Sequence, residues 1–235
     1  MRRAVAVFSL VGVVAGGCGV LGEEGSGVLV TRRIQVPAGI ERVEIGDAFR
    51  STVRLGTAAP SGEITIDDNL LDRLRVEVDG DTIRIDLDGQ VRDATLRADI
   101  GLLRLRRIGA SGASQVRVEG QVTDDLTVDA SGASEIEIGS VELDELVLDV
   151  SGASQVSIEG TAGHLRADVS GSSRIALFGV EADEAEVDVS GESVAELTVL
   201  DRIEGRASGA SSVRYRGEPD RVISDESGAS SVEPA

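Results

Sequence analysis

Over the last 127 or so residues, apolar and polar side chains alternate with period two. Leu126, Val128 and Ala130 are separated by Thr127 and Asp129, and the same spacing returns in Leu146/Leu148/Val150, Leu165/Ala167/Val169 and Ala185/Val187/Val189. Beyond a four-residue break stands a second alternating pair: Val116/Val118, Ile136/Ile138, Val156/Ile158 and Ile175/Leu177. One side of each stretch is apolar and the other polar or acidic, the mark of a half-buried strand of about five residues. No stretch sustains a 3.6-residue period with helix caps, which excludes a helical solenoid.

The break itself repeats. Ser-Gly-x-Ser begins at Ser111, Ser131, Ser151, Ser170, Ser190, Ser208 and Ser227, seven copies at intervals of 18 to 20 residues. A 20-residue unit of short strands cannot bury its own apolar side, whereas stacked copies bury a continuous column and pair each strand with its equivalents. The pattern predicts an all-β chain, a β-solenoid of ~20-residue coils. Gly112, Gly132, Gly152, Gly171, Gly191 and Gly209 are expected at its corners, where a positive φ or close backbone contact favours glycine. The motif serines are expected to satisfy backbone groups that the corner removes from the ladder. The x position accepts Glu192, so it should face solvent.

Residues 28–108 share the short strands without the motif. Val43/Ile45, Val53/Leu55 and Ile64/Ile66 alternate, Asp79-Gly80 reads as a hairpin turn, and Gly46 to Val53 as a degenerate corner. This part is expected to continue or cap the N-terminal end of the regular solenoid of residues 109–235. At the other end, Ser224 and Glu226 stand where aliphatics belong, a polar coil that discourages end-to-end growth.

The first residues predict export. Met1-Arg2-Arg3 precedes an apolar run over residues 4–15, and Val14-Ala15-Gly16-Gly17-Cys18 resembles a bacterial lipobox. The expectation is a signal peptide over 1–17, lipidation of Cys18 and a flexible tether over 18–27, with ordinary cleavage near Ala15 as the alternative. The run is too short to span a bilayer comfortably. Cys18 is the single cysteine, so no intramolecular disulfide forms.

Composition narrows the partners. The formal charge is −19 and all 23 basic residues are arginine. That field repels phosphate, which argues against nucleic acid and against membrane attachment by a basic patch; the membrane partner is reached through the N-terminal lipid. With three Phe, one Tyr and no Trp, the core must be aliphatic.

Several segments resemble a known family: IERVEIGDAFRSTVRLG, the DGDTIRI hairpin, LRRIGASGASQVRVEG and the repeated SGAS coils, covering roughly residues 30–216. They resemble the bacterial putative auto-transporter adhesin head GIN domain family. The resemblance implies a right-handed parallel β-helix, a cell-envelope location and recognition of a surface or envelope partner. It carries over no catalytic residues.

The main candidate site is a row of carboxylates two residues before each Ser-Gly: Asp129, Asp149, Asp168 and Asp188, with Gly109 before them and Arg206 and Asp225 after. Carboxylates ~5 Å apart repel by about 0.8 kcal/mol in water and about 3 kcal/mol at an effective dielectric of 20. An exposed row tolerates the former; a row of Ca²⁺ ions would relieve the latter, although Ca²⁺ wants six to eight oxygens. No cofactor motif is present. His164 is the single histidine and no serine sits in Gly-x-Ser-x-Gly, so a catalytic triad has no basis. A β-helix enzyme acting on polysaccharide through paired carboxylates is the enzymatic alternative, and a passive envelope spacer the structural one.

Overall fold

A computed structural model describes residues 22–235; residues 1–17, expected to be a signal peptide, and Cys18 lie outside the described residues. The alternating stretches form parallel strands that stack coil upon coil. One apolar column runs Leu126, Leu146, Leu165, Ala185, Ile203, Val222, each directly opposite the next. A second runs Val116, Ile136, Val156, Ile175, Ala195, Val213, Val232. All but the last member of each column are buried, so the core is one continuous body built of aliphatic stacks. A one-residue slip would turn every column outward, which is why register is held so strictly.

The strands are longer than the alternation alone predicts. Glu135–Val150, Gln155–Val169, Arg174–Val189 and Val194–Gly209 each run unbroken through a bend. The ladder survives because the neighbouring coil bends at the same place. Coils of unequal length are reconciled there, with register shifts between Ile138 and Val141, Ser157 and Glu159, and Leu177 and Glu181.

The Ser-Gly-x-Ser corner behaves as expected, with one refinement. Its glycines all have positive φ, from 73° at Gly112 to 83° at Gly171. A Cβ on Gly152 would also lie 2.3 Å from the carbonyl oxygen of Gly132, so two separate constraints demand glycine. That carbonyl accepts the Ala153 N–H at 2.7 Å, and Ser172 N–H bonds Gly152 in the same way. The refinement concerns the serines. The second serine of each motif points inward: Ser114, Ser134, Ser154, Ser173, Ser193 and Ser211 are all buried. Ser211 Oγ donates towards Ser208 O at 2.8 Å and lies 3.1 Å from Val189 O; Ser134 Oγ is placed in the same way against Ser131 O and Ala110 O. The first serine lies on the outside, beyond the residue that alternates inward. The x residues, Glu192 included, are exposed.

The N-terminal part continues the stack, but out of chain order. Arg42–Ile45 and Arg50–Leu55 lie against Arg107–Ala110 and Gln115–Glu119 on one side. On their other side lie Thr82–Leu87 and Leu96–Leu102. The first coil is therefore sandwiched between two later ones. Gly46-Asp47-Ala48-Phe49 is its corner, with Asp47 (φ 60°) in the glycine position and Phe49 in the inner-serine position. Antiparallel strands close the outer edge: Ser61–Asp67 on Leu96–Leu102, Leu74–Asp79 on Thr82–Leu87, and Leu29–Ile34 on Ser61–Asp67. The hairpin loop is Gly80-Asp81, one residue later than Asp79-Gly80, because Asp79 pairs with Thr82. A 3₁₀ turn at Asp68–Arg73 adds the one helical segment among the described residues.

Residues 22–27 are not a free tether, contrary to the reading of residues 18–27. Glu23–Glu24 pair with Val91–Arg92, and Gly27 N–H bonds the buried Asp67 carboxylate at 2.6 Å. Asn69 binds the Glu24 carbonyl at 2.9 Å, and Arg92 pairs with Glu24 at 2.8 Å. Buried Asp67 needs donors, and this segment supplies one of them. At the C-terminal end, Glu226 stands in the inward column after Ala207 and accepts the Val232 N–H at 3.0 Å. A carboxylate thus tops the last coil and blunts its open edge.

Two pairs of substitutions separate corner from surface. Gly152→Ala should lower unfolding free energy by about 2–4 kcal/mol in urea denaturation. Gly139→Ala, where a Cβ meets nothing within 4 Å, serves as the reference. Ser211→Ala, which removes the one hydroxyl donor shared by Ser208 O and Val189 O, should cost about 1–2 kcal/mol, while outward Ser208→Ala changes the urea midpoint little.

Candidate functional site

Strict register lines up the outward residues as it does the inward ones. Asp129, Asp149, Asp168 and Asp188 stand directly opposite one another on successive coils, followed by Arg206 and Asp225. The four sequence-predicted carboxylates therefore form one row. In the other direction the row passes through Gly109 to Glu44 and Arg84, which sequence reading missed. A signal was available: Glu44 lies two residues before the degenerate corner at Gly46, as Asp129 lies two before Ser131. Beside this row stands a second, made of the outward motif serines.

The row is neutralised at its ends and left charged in the middle. Arg107 reaches Asp129 with its terminal nitrogen at 2.9 Å. Arg206 lies 3.2 Å from Asp188 and 3.2 Å from Glu186. Glu186, Asp188 and Glu204 together hold the Arg206 guanidinium still more firmly in its charged form. Among the described residues no arginine pairs with Asp149 or Asp168, and both are exposed. Burial, then the neighbouring Asp149 and Asp188, raises the Asp168 carboxyl above its ordinary pKa. Asp129 is also raised: its burial outweighs the Arg107 guanidinium beside it.

The geometry allows one row of exposed carboxylates on a rigid sheet. Among the described residues no three Asp, Glu, His or Cys side chains converge as a cation cage, so each ion of a Ca²⁺ row would depend on two carboxylates and solvent. His164 is exposed, lies within a strand, and sits 3.7 Å from Glu184. Its register partners are Glu145 and Glu184, not a motif serine. Among the described residues the aromatic side chains offer no open platform: Phe49 and Tyr215 are buried, and the Arg216 guanidinium lies 3.9 Å from the Phe178 ring centre. No described helix is long and apolar enough to cross a membrane.

A parallel β-solenoid with an external charged row defines a class of display scaffold. The chain belongs to the family described as "putative auto-transporter adhesin, head GIN domain", whose model matches residues 40–219. Its fold is shared with a putative adhesin from Bacteroides fragilis, 21% identical, TM-score 0.85, covering 91% of this chain and 100% of that one. It is shared too with a putative adhesin from Parabacteroides merdae (17% identity, TM-score 0.69, 90% and 98% covered). A putative lipid binding protein from Parabacteroides distasonis is similar as well (19% identity, TM-score 0.72, 90% and 98% covered). No curated protein matches the chain.

The raised Asp168 pKa makes a signed prediction. Its folded-state value lies above the unfolded one, so the carboxyl's contribution is fully present below about pH 3.8 and is lost as pH rises through the raised value. Asp168→Asn should therefore be the more stable protein at pH 7, by no more than about 1 kcal/mol given its exposure. Melting temperatures of the two should converge near pH 3.

Proposed function

We propose that this chain is an exported, lipid-anchored and non-enzymatic surface-binding module of the adhesin type. The observation that carries the proposal is the uncompensated pair Asp149 and Asp168, held at strand spacing on a rigid face and open to solvent. Inward columns and corner glycines have structural work to do. This carboxylate pair has none, and self-repulsion makes it a cost to the fold. A complementary, cationic patch on an envelope or cell-surface partner would relieve that repulsion.

The docked segment 22–27 would give a lipid-anchored molecule a direction. Residues 19–21 are the only spacer between Cys18 and the docked segment, and three extended residues reach about 10 Å. Lipidation at Cys18 would therefore hold the capped end close to the bilayer. Charge is distributed accordingly: residues 22–108 carry 13 arginines against 16 carboxylates, and residues 109–235 carry 8 against 26. An anionic bilayer would repel the distal coils and favour an upright rod.

Two measurements test this reading. Metabolic labelling with a fatty-acid analogue should mark the wild-type chain and not Cys18→Ala. Capture from envelope extract should enrich a defined partner with the wild-type rod and lose it with Asp149→Asn/Asp168→Asn. No enriched partner with the wild-type rod would instead favour a spacer without a dedicated ligand.

A further inference from the structure

The outward row lacks a side chain at one place. Gly109 stands between Glu44 and Asp129, and in the adjoining row Gly46 has Asp86 and Ser111 as its neighbours. The two glycines floor a notch of about 440 Å³, within the ~300–1,000 Å³ range of small-ligand sites. Backbone geometry does not impose the gap at Gly109. Its φ is not positive, and a Cβ there would meet nothing closer than the Glu44 Cγ at 3.5 Å. Corner glycines are obligatory; this one leaves room that a side chain could fill.

The walls of the notch are ionic and unbalanced. Glu44, Asp47, Asp86 and Asp129 face Arg84 and Arg107, four carboxylates to two guanidiniums. Arg84 Nε binds Glu44 at 2.8 Å, and Asp47 accepts the Leu87 N–H at 2.7 Å. Asp129 Oδ2 is buried and accepts no hydrogen bond, although Arg107 Nε lies 2.8 Å away out of line. Among the described residues Asp86 has no ion-pair partner, and burial, then Asp47 and Glu77, raises its carboxyl pKa. An anion would be repelled here. A metal ion would find no three converging ligands.

We propose that the notch over Gly46 and Gly109 is a receptor for one organic cation, an alkylammonium or guanidinium group, ringed by Glu44, Asp86 and Asp129. The cation supplies the positive group that the row lacks at Gly109. A free polyamine and a basic side chain of a partner protein share this chemistry. Its floor at Gly109 lies two coils from Asp149 and its rim at Asp129 one coil, but the site stands on its own cavity, so its failure would leave the surface-binding reading standing, and the reverse.

Calorimetric titration of the full chain at low salt, with agmatine, spermidine and a capped arginyl peptide, tests the proposal. Saturable one-site binding is expected for at least one of them, and the preferred probe tells which source the site favours. Gly109→Leu, which fills the notch without altering charge, should weaken binding by about tenfold or more, and Asp86→Asn should weaken it in the same direction. Asp168→Asn/Asp225→Asn, two and five coils from Asp129, should leave it within about twofold. Absence of saturable heat with all three probes overturns the proposal. So does equal weakening by the Asp168/Asp225 pair, which would make binding a property of the overall negative field. Melting curves check each variant's fold; should Gly109→Leu fail to fold, unchanged affinity in Asp86→Asn overturns the site.

Discussion

Everything in this molecule depends on bringing one corner directly over the next at strand spacing. Parallel strands hydrogen-bond at about 4.8 Å, and that separation must hold where the backbone turns as well as where it runs straight. Gly132, Gly152, Gly171 and Gly191 meet the requirement by carrying no Cβ into the carbonyl of the coil beneath. The inner serines then supply the hydrogen bonds that the turn would otherwise leave unmade. With corners fixed, register is fixed, and aliphatic columns form inside as a consequence.

The same constraint produces the outer face. Residues that share a coil position are forced into rows, so any repeated charge becomes a ladder whether or not it stabilises the fold. Arg107 and Arg206 neutralise the ladder near its ends, and Asp149 and Asp168 are left open. Scaffold and display are thus separable: inward and corner positions answer to packing, while outward positions are free to vary in charge. The family's adhesin designation fits a fold of this kind, in which the binding surface can change without disturbing the core.

Much of the architecture was legible in the residues because the repeat is regular. Period-two alternation identified the columns, and the Ser-Gly-x-Ser spacing identified the coils and their corners. Three features escaped for physical reasons. The different duties of the two serines depend on which side of the corner each occupies, and the motif treats them alike. The sandwiched first coil is a matter of long-range pairing, since Arg42–Ile45 meets both Thr82–Leu87 and Arg107–Ala110. The docking of residues 22–27 rests on buried Asp67, whose role is visible only once Gly27 and Thr95 are seen to donate to it. At the candidate site, the four aspartates were readable from the motif. Glu44 carried a signal in its place two residues before the corner at Gly46, whereas Arg84 joins the row only through the long-range pairing of Thr82–Leu87 with Arg42–Ile45.

Native-state hydrogen exchange tests most directly the claim that the corners are part of one continuous stack. The amides of Ala153, Ser172 and Glu192, though on exposed residues, each bond the glycine carbonyl of the adjoining coil at 2.7 Å. They should exchange in the slowest class, together with buried ladder amides such as those of Leu148 and Val187, through cooperative opening of the stack. Fast, independent exchange at these corner amides would contradict the account, because the corners would then be loops between strands and the Ser-Gly-x-Ser motif would need another explanation.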